Sequence, residues 1–442
     1  MHHPATQQIH AGYAPEGPHH PVAVPVHQST AYRFPDHATA VALFRQEAPG
    51  FTYSRTGNPT VAAFEARLAA LEGGVGAVGT ASGQSAVALA LLALLPAGTH
   101  LVASSQLYGG TVDLLTDTFG DLGIAVTSVD PADPGAWTAA VRPETRAFFL
   151  EAVTNPLATL PDLPALADAA HAAGVPVVVD ATLATPALYR PLEHGADVVV
   201  HSATKFLGGH GAALGGAIVD GGTFDFGADP ERWPRLAWPQ ARFGGRSLVE
   251  RHGRSAYLAL VRARFLHDLG PSLAPASAAH FLQGLETLQL RMARHTASAL
   301  TVAEHLAAHP AVARVHHPGL PGHPSAGLAA RDFPHGTGSV FSFDLAAGPG
   351  AVGPFLDALA LFQLVANVGD ARSLACHPAT MTHCRLSPEQ RVAAGIAETT
   401  IRLSVGLEDP ADLIADLDRA LAVAAGPVAA SAAPVAAAGA VR

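Results

Sequence analysis

With 442 residues, 49% hydrophobic and only 14% charged, the chain is long enough for two or three domains of roughly 100–200 residues each and for an enclosed site. A formal net charge of −10, with 26 scattered Lys and Arg, argues against a nucleic-acid partner, whose phosphates require clustered basic side chains. The longest apolar run, Ala86 to Leu95, falls well short of the ~20 residues that a membrane-spanning helix needs.

Residues 1–60 are rich in Pro, His and Gly and read as an irregular arm, with regular spacing only at Ala38 to Glu47. Met1-His2-His3-Pro4 has neither the basic start nor the apolar stretch of a secretory signal, so a cytoplasmic location is expected. Val61 to Glu72 predicts an amphipathic helix and Ser85 to Leu95 a buried one. Short β-branched or apolar runs then alternate with helical stretches, at His100 to Ser104, Ala125 to Val129, Ala147 to Glu151, Val175 to Asp180 and Asp197 to His201. Such alternation implies parallel crossovers and a sheet covered on both faces. Asp220 to Gly253, with Trp233, Trp238 and several Gly and Pro, has little period and reads as a long functional loop. Helices are expected over Ser255 to Leu269 and over Ala279 to Leu306. Gly338 to Asp344, Leu361 to Val365 and Thr400 to Ser404 read as strands of a second, smaller sheet. Val423 to Arg442, almost wholly Ala, Val, Pro, Gly and Ser, reads as a disordered tail.

Cys376 and Cys384 are the only cysteines, too few for a disulfide framework and not spaced as structural zinc ligands, so they read as packing or incidental thiols. His305 and His309 lack the glutamate of an H-E-x-x-H site, and no metal is expected.

The chemistry concentrates elsewhere. Val175 to Asp180 is an apolar strand that delivers a carboxylate at its carboxyl end, where open α/β sheets bind ligands. Alone, such an aspartate is more often a helix cap, a metal ligand or a polar loop residue than the partner of a ring nitrogen. After the strand ending at His201 comes Ser202-Ala203-Thr204-Lys205 and then the glycine-rich Phe206 to Gly211, an unusual setting for a solvent-exposed lysine. Pyridoxal phosphate accounts for the combination, because it needs an amine for the Schiff base and an anion to keep its ring nitrogen protonated. Ser202 and Thr204 offer hydroxyls to the phosphate, although in isolation they read as turn residues bonding their own backbone. Thr80-Ala81-Ser82-Gly83-Gln84 precedes the buried helix. Its first amides form an anion site that glycine lets a phosphate approach, which makes Gly83 and Gln84 candidate phosphate ligands.

Further motifs stand in order along the chain. They are Tyr53-Ser54-Arg55 with Asn58-Pro59-Thr60, Leu71-Glu72-Gly73-Gly74, Leu107-Tyr108-Gly109-Gly110-Thr111, Asn155-Pro156, Ser202-Ala203-Thr204-Lys205, and Ile401-Arg402-Leu403-Ser404-Val405-Gly406-Leu407-Glu408. With them the chain resembles the cysteine and methionine metabolism (transsulfuration) family of pyridoxal-phosphate enzymes, from about Thr6 to Ala422. The resemblance implies a fold type I α/β transferase with a mostly parallel central sheet and a smaller C-terminal domain. It divides the chain into an arm (1–60), a cofactor-binding domain (61–265), a C-terminal domain (266–422) and a tail (423–442). It implies Lys205 as the Schiff-base lysine, Asp180 as partner of the ring nitrogen and Tyr108 stacked on the ring, with Gly83, Gln84, Ser202 and Thr204 on the phosphate. Asn155 matches a residue near the phenolic oxygen, Arg402 the arginine that grips the substrate α-carboxylate, and Asn367 a position near that carboxylate. Tyr53 and Arg55 match a pair that reaches the phosphate of a neighbouring subunit. A homodimer is then the active unit, a homotetramer is the family habit, and the partner is a small amino-acid substrate.

Within the family the chain is most similar to the O-acetylhomoserine sulfhydrylase branch. Gly109-Gly110-Thr111 follows Tyr108 where methionine γ-lyases carry a cysteine, and 220–253, Gln283 to Leu288 and Ala366 to Asp370 point the same way. The implied reaction is replacement of the Cγ substituent of an O-activated homoserine by sulfide or a thiol, releasing acetate in the acetyl case. Asp180-Ala181-Thr182-Leu183 departs from the family, which usually has asparagine after the aspartate and phenylalanine after the threonine. Thr154 and His27 are also unusual. These departures point to a carbon or other sulfur nucleophile in specialised metabolism. γ-Elimination to a 2-oxo acid stands as a further alternative, and a silent scaffold that keeps the fold is opposed by the presence of Lys205, Asp180, Tyr108 and Arg402.

Overall fold

The computed structural model describes residues 2–15, 19–45 and 47–426. Its first sheet has seven strands: β1 (Gly76–Thr80), β2 (His100–Ser104), β3 (Ala125–Val129), β4 (Thr145–Glu151), β5 (Val177–Asp180), β6 (Val198–His201) and β7 (Gly216–Asp220). They lie in the order β1-β7-β6-β5-β4-β2-β3. From β6 to β3 every pairing is parallel, whereas β7 runs antiparallel to both neighbours. Parallel strands buried on both faces require continuous apolar runs. Val177, Val178 and Val179 on β5 and Val198, Val199 and Val200 on β6 supply them, all fully or almost fully buried.

The second sheet comprises β8 (Val312–His316), β9 (Val340–Leu345), β10 (Gln363–Leu364), β11 (Leu374–Cys376) and β12 (Thr400–Ser404), in the order β10-β11-β12-β9-β8. Among the described residues no helix is long and apolar enough to cross a membrane.

Several expectations need correction. The helix expected over 279–306 is two helices, Pro275–Glu286 and Leu288–Ala308, broken at Thr287. Packing against the lysine turn accounts for the break. A Cβ on Gly284 would lie 2.3 Å from the Leu207 carbonyl oxygen. The buried Arg291 donates to the carbonyls of Gly284 (2.7 Å) and Phe206 (2.8 Å), fixing the turn that follows Lys205. The 255–269 stretch is helical but widens into a π-type turn over Val261–Leu266. Segment 220–253 begins on β7 and holds the short helices Pro234–Ala237 and Leu248–His252. Its Trp233 is buried against Phe224 and Phe226. Phe226, Trp233, Leu236, Phe243 and Leu248 join the buried cluster that holds Val78, Leu91 and Tyr257, so the segment is packed onto the core of the first sheet. The last helix, Pro410–Ala424, takes in the start of the expected tail, and 427–442 lie outside the described residues. The arm holds helices Pro4–His10 and His37–Phe44, and Gln8 ties the first of them to the chain's own Glu286 and Gln289 backbone.

Beneath the first sheet, His201 Nε2 meets Glu72 Oε1 at 2.6 Å, both side chains fully buried. Removing one partner of a buried pair strands the other in a medium of low polarity. Glu72→Ala is therefore expected to cost about 3–5 kcal/mol, read as a lowered urea midpoint. A loss below about 1 kcal/mol would place the pair in the class of exposed ion pairs.

Candidate active site

A cavity of about 790 Å³ opens where the carboxyl ends of the central parallel strands meet the second sheet. In-register pairing sets Glu151, the last residue of β4, beside Asp180, the last of β5. Asp180 Oδ1 accepts from Thr182 N (2.9 Å), and Thr182 Oγ1 accepts from Ser202 N (2.8 Å), so one hydroxyl residue joins the ends of β5 and β6. Burial pushes both carboxyls above their ordinary range, and Asp180's charge drives Glu151 further up.

Glu151 was not foreseen as a site residue, because nothing local separates it from any other strand end. Its Oε1 accepts from Tyr108 N at 2.6 Å and its Oε2 from Asn155 N at 3.0 Å. One carboxylate thus fixes two loops that are distant in sequence. The Tyr108 ring lines the cavity and is half exposed. Gly110 permits that position, since a Cβ there would fall 2.7 Å from the ring.

Lys205 follows β6 on a tight turn closed by Lys205 N to Ser202 O (3.1 Å) and Gly209 N to Lys205 O (2.7 Å). Its Nζ donates to Asn367 Oδ1 at 2.5 Å. Burial, with the charge of Arg402 added, pushes the amine down to about 8. Arg402 lies buried on β12 and donates to Asn155 Oδ1 (3.2 Å) and to the Asn367 carbonyl (3.1 Å). The amine and the guanidinium are therefore one residue apart through Asn367, and Arg402 retains donors for an incoming carboxylate.

On the opposite wall the helix Gly83–Leu94 starts with Ser82 as its cap, whose hydroxyl accepts from Ser85 N at 3.1 Å. The amides of Gly83 and Gln84 belong to the first turn, whose N–H groups have no partner within the helix. A Cβ on Gly83 would lie 2.4 Å from Ser202 Cβ, so only glycine lets the two loops close into a cradle. Gln84 Nε2 donates to the Gly110 carbonyl at 2.8 Å. Thr204 Oγ1 bonds the Gly215 backbone in both directions, to its carbonyl at 3.2 Å and from its amide at 3.1 Å.

The structure thus brings Gly83, Gln84, Tyr108, Asn155, Asp180, Ser202, Thr204, Lys205, Asn367 and Arg402 to one cavity. Tyr53 and Arg55 lie outside it. Arg55 sits 5.7 Å from the Tyr53 ring and donates to the His267 carbonyl near the surface. No residue of 220–253 reaches the cavity either, which leaves the expected functional loop without a contact to the site within this chain. Residues 381–386, not singled out in the sequence as a site, also line the cavity. Leu183 is in the wall, whereas Ala181 is fully buried in the core beside it. Cys376 is buried on β11, Cys384 is exposed, and neither forms a disulfide.

A family model for the Cys/Met metabolism PLP-dependent enzymes matches residues 5–422. The O-acetyl-L-homoserine sulfhydrylase of Leptospira meyeri is 44% identical over 95% of this chain and 96% of its own. Sulfhydrylase FUB7 of Gibberella moniliformis is 41% identical over 95% and 98%. Among solved structures, a Campylobacter jejuni protein assigned as an O-acetylhomoserine (thiol)-lyase superposes with a TM-score of 0.92 at 35% identity, covering 95% of this chain and 99% of its own. That structure carries an N'-pyridoxyl-lysine-5'-monophosphate. On the full-length family match and these identities, the chain belongs to the Cys/Met metabolism family of PLP-dependent enzymes.

Proposed function

We propose that the chain catalyses γ-replacement on an O-activated homoserine, taking O-acetylhomoserine and sulfide or a thiol to homocysteine or a thioether with release of acetate. One observation carries this reading. The Lys205 amine, held down to about 8, and the Arg402 guanidinium share Asn367 as their common partner. Relatives at 41–44% identity that are named sulfhydrylases support the branch.

The residues fit pyridoxal phosphate. Gly83 and Gln84 amides with the Ser202 hydroxyl form a cradle for its phosphate that a side chain at position 83 would fill. Asp180, raised by burial, would pair with a protonated ring nitrogen, and Tyr108 in the cavity wall would pack against the ring. Thr204 would have to release the Gly215 carbonyl to donate to the phosphate. When bound, the cofactor supplies an electron sink for charge developing at the substrate Cα.

Arg402 holds the α-carboxylate in a two-point grip, which sets the direction of the Cα–H bond. Lys205, once its amine is free, takes the proton from Cα and then one from Cβ, so that the acetate on Cγ departs with its bonding electrons. Sulfide then adds at Cγ, and Lys205 returns protons to Cβ and Cα. Placement of Tyr53 and Arg55 outside this chain's own cavity accords with a homodimer in which a second copy brings them to the phosphate.

With and without sulfide, the cofactor-loaded protein is given O-acetyl-L-homoserine and the products are identified by mass spectrometry. Homocysteine formed only with sulfide, one per acetate released, is the expected result. Mostly 2-oxobutyrate in both cases would assign elimination instead. Leu183 in the cavity wall, where family members usually carry phenylalanine, favours a second reading in which a larger thiol or a carbon nucleophile replaces sulfide. A nucleophile panel run beside sulfide separates the two readings.

Uptake of cofactor by the apo chain gives a pH prediction. Only the neutral amine condenses with an aldehyde, and the Lys205 amine is held at about 8. The rate at which visible absorbance grows on mixing is expected to rise about tenfold per pH unit below that value and to level off above it. A rate that falls as pH rises from 6 to 8 contradicts this.

A further inference from the structure

The cationic side chains that line the cavity among the described residues are Lys205, Arg402 and Arg385. His383 beside them is pushed down to about 4 by burial and the charge of Arg402, and is neutral. Arg402 is buried on β12. Arg385 stands at the mouth with its side chain 80% exposed, and its Nη1 donates to Asp113 Oδ2 at 2.6 Å. Asp113 closes the short helix Gly109–Asp113 that follows Tyr108, and Asp117 also lines the cavity one turn further on. Two carboxylates therefore face one guanidinium, and the mouth carries an excess of negative charge.

We propose that Asp113, by engaging Arg385 and adding with Asp117 a net negative charge at the mouth, selects donors whose Cγ leaving group is neutral and rejects those that carry a carboxylate or phosphate. The inference rests on the γ-replacement reading above. With the α-carboxylate on Arg402 in the floor of the cavity, the Cγ substituent extends towards the open side. An acetyl group brings no charge there. A succinyl group ends in a carboxylate and a phosphoryl group is itself anionic, and each meets a cation already paired and flanked by acids. Specificity of this kind works by repulsion of the wrong ligand as much as by contact with the right one. The pair is solvent-exposed, so it contributes little to holding the fold, and changing it leaves the scaffold intact.

The test measures kcat/KM with sulfide for O-acetyl-, O-succinyl- and O-phospho-L-homoserine in the holoenzyme, in Asp113→Asn, and in Asp113→Asn combined with Arg385→Ala. The wild type is expected to prefer the acetyl donor by about tenfold or more. Asp113→Asn is expected to narrow that preference by about tenfold, through improved use of the anionic donors. Adding Arg385→Ala is expected to abolish the gain, because the released guanidinium is what receives the carboxylate. An unchanged ratio in Asp113→Asn, or a gain that survives loss of Arg385, overturns the proposal. A wild type that prefers the succinyl donor overturns it while leaving γ-replacement standing. A wild type that turns over none of the three overturns the underlying reading and this inference with it.

Discussion

Lys205→Ala is expected to lower turnover of O-acetyl-L-homoserine by about 10⁴-fold, because the variant loses both the covalent attachment of the cofactor and the group that moves protons at Cα and Cβ. The side chain does little for the fold. It sits on a turn held by its own backbone and by Arg291, which bonds the Phe206 carbonyl at 2.8 Å. Circular dichroism and oligomer size should therefore match the wild type. Cofactor affinity should fall by less than activity does, since the Gly83 cradle and Asp180 remain. Small primary amines added to the solution should restore part of the rate, as they supply the missing base from outside. A variant that keeps turnover within tenfold of wild type would remove Lys205 from the mechanism.

Arg402→Ala carries the second large effect, an expected loss of about 10²–10³-fold in kcat/KM, the range seen when one partner of a buried, hydrogen-bonded charge pair is truncated. Its guanidinium bonds Asn155 Oδ1 and the Asn367 carbonyl, so the variant also frees the Asn155 side chain and the Asn367 backbone beside the Lys205 amine. Arg402→Lys should recover only part of the loss, because an ammonium keeps the charge but not the planar fork. The sign of a further effect follows from the electrostatics. Arg402 helps to push the Lys205 amine down. Removing it must raise that amine, so the rise of apo-chain cofactor uptake with pH should move to higher pH in Arg402→Ala and stay near its wild-type position in Arg402→Lys. An unshifted profile in Arg402→Ala would separate the two groups electrostatically.

The placement of Asp180 and Lys205 at the carboxyl edge of a parallel sheet was legible in the sequence, because Asp180 ends one apolar strand run and Lys205 stands on the turn just after another. Strands β2 and β6, buried along their whole length, fell close to their expected places because their runs are apolar, and the edge strand β3 did so as well. What stayed hidden depends on contacts between distant segments. Glu151 looks like any strand terminus until the fold brings the amides of Tyr108 and Asn155 to its two oxygens. Asp113 and Arg385 lie on segments that only the finished cavity unites. The antiparallel β1 and β7, with sequences Gly76–Thr80 and Gly216–Asp220, are short and glycine-bearing. The break at Thr287 follows from the approach of Gly284 to the lysine turn, which no helical periodicity reports. Gly83 was legible as a candidate phosphate ligand, whereas the reason it must be glycine, the nearness of Ser202, is purely tertiary.

The assignment of this cavity to pyridoxal phosphate through Lys205 is tested most directly by reducing the cofactor-loaded protein with borohydride, digesting it and locating the pyridoxyl group by mass spectrometry. The expected result is a single modified peptide carrying the group on Lys205, with the label lost when the protein is first saturated with an amino-acid substrate that displaces the lysine. An unmodified Lys205 in protein that retains full cofactor content and activity would contradict the account.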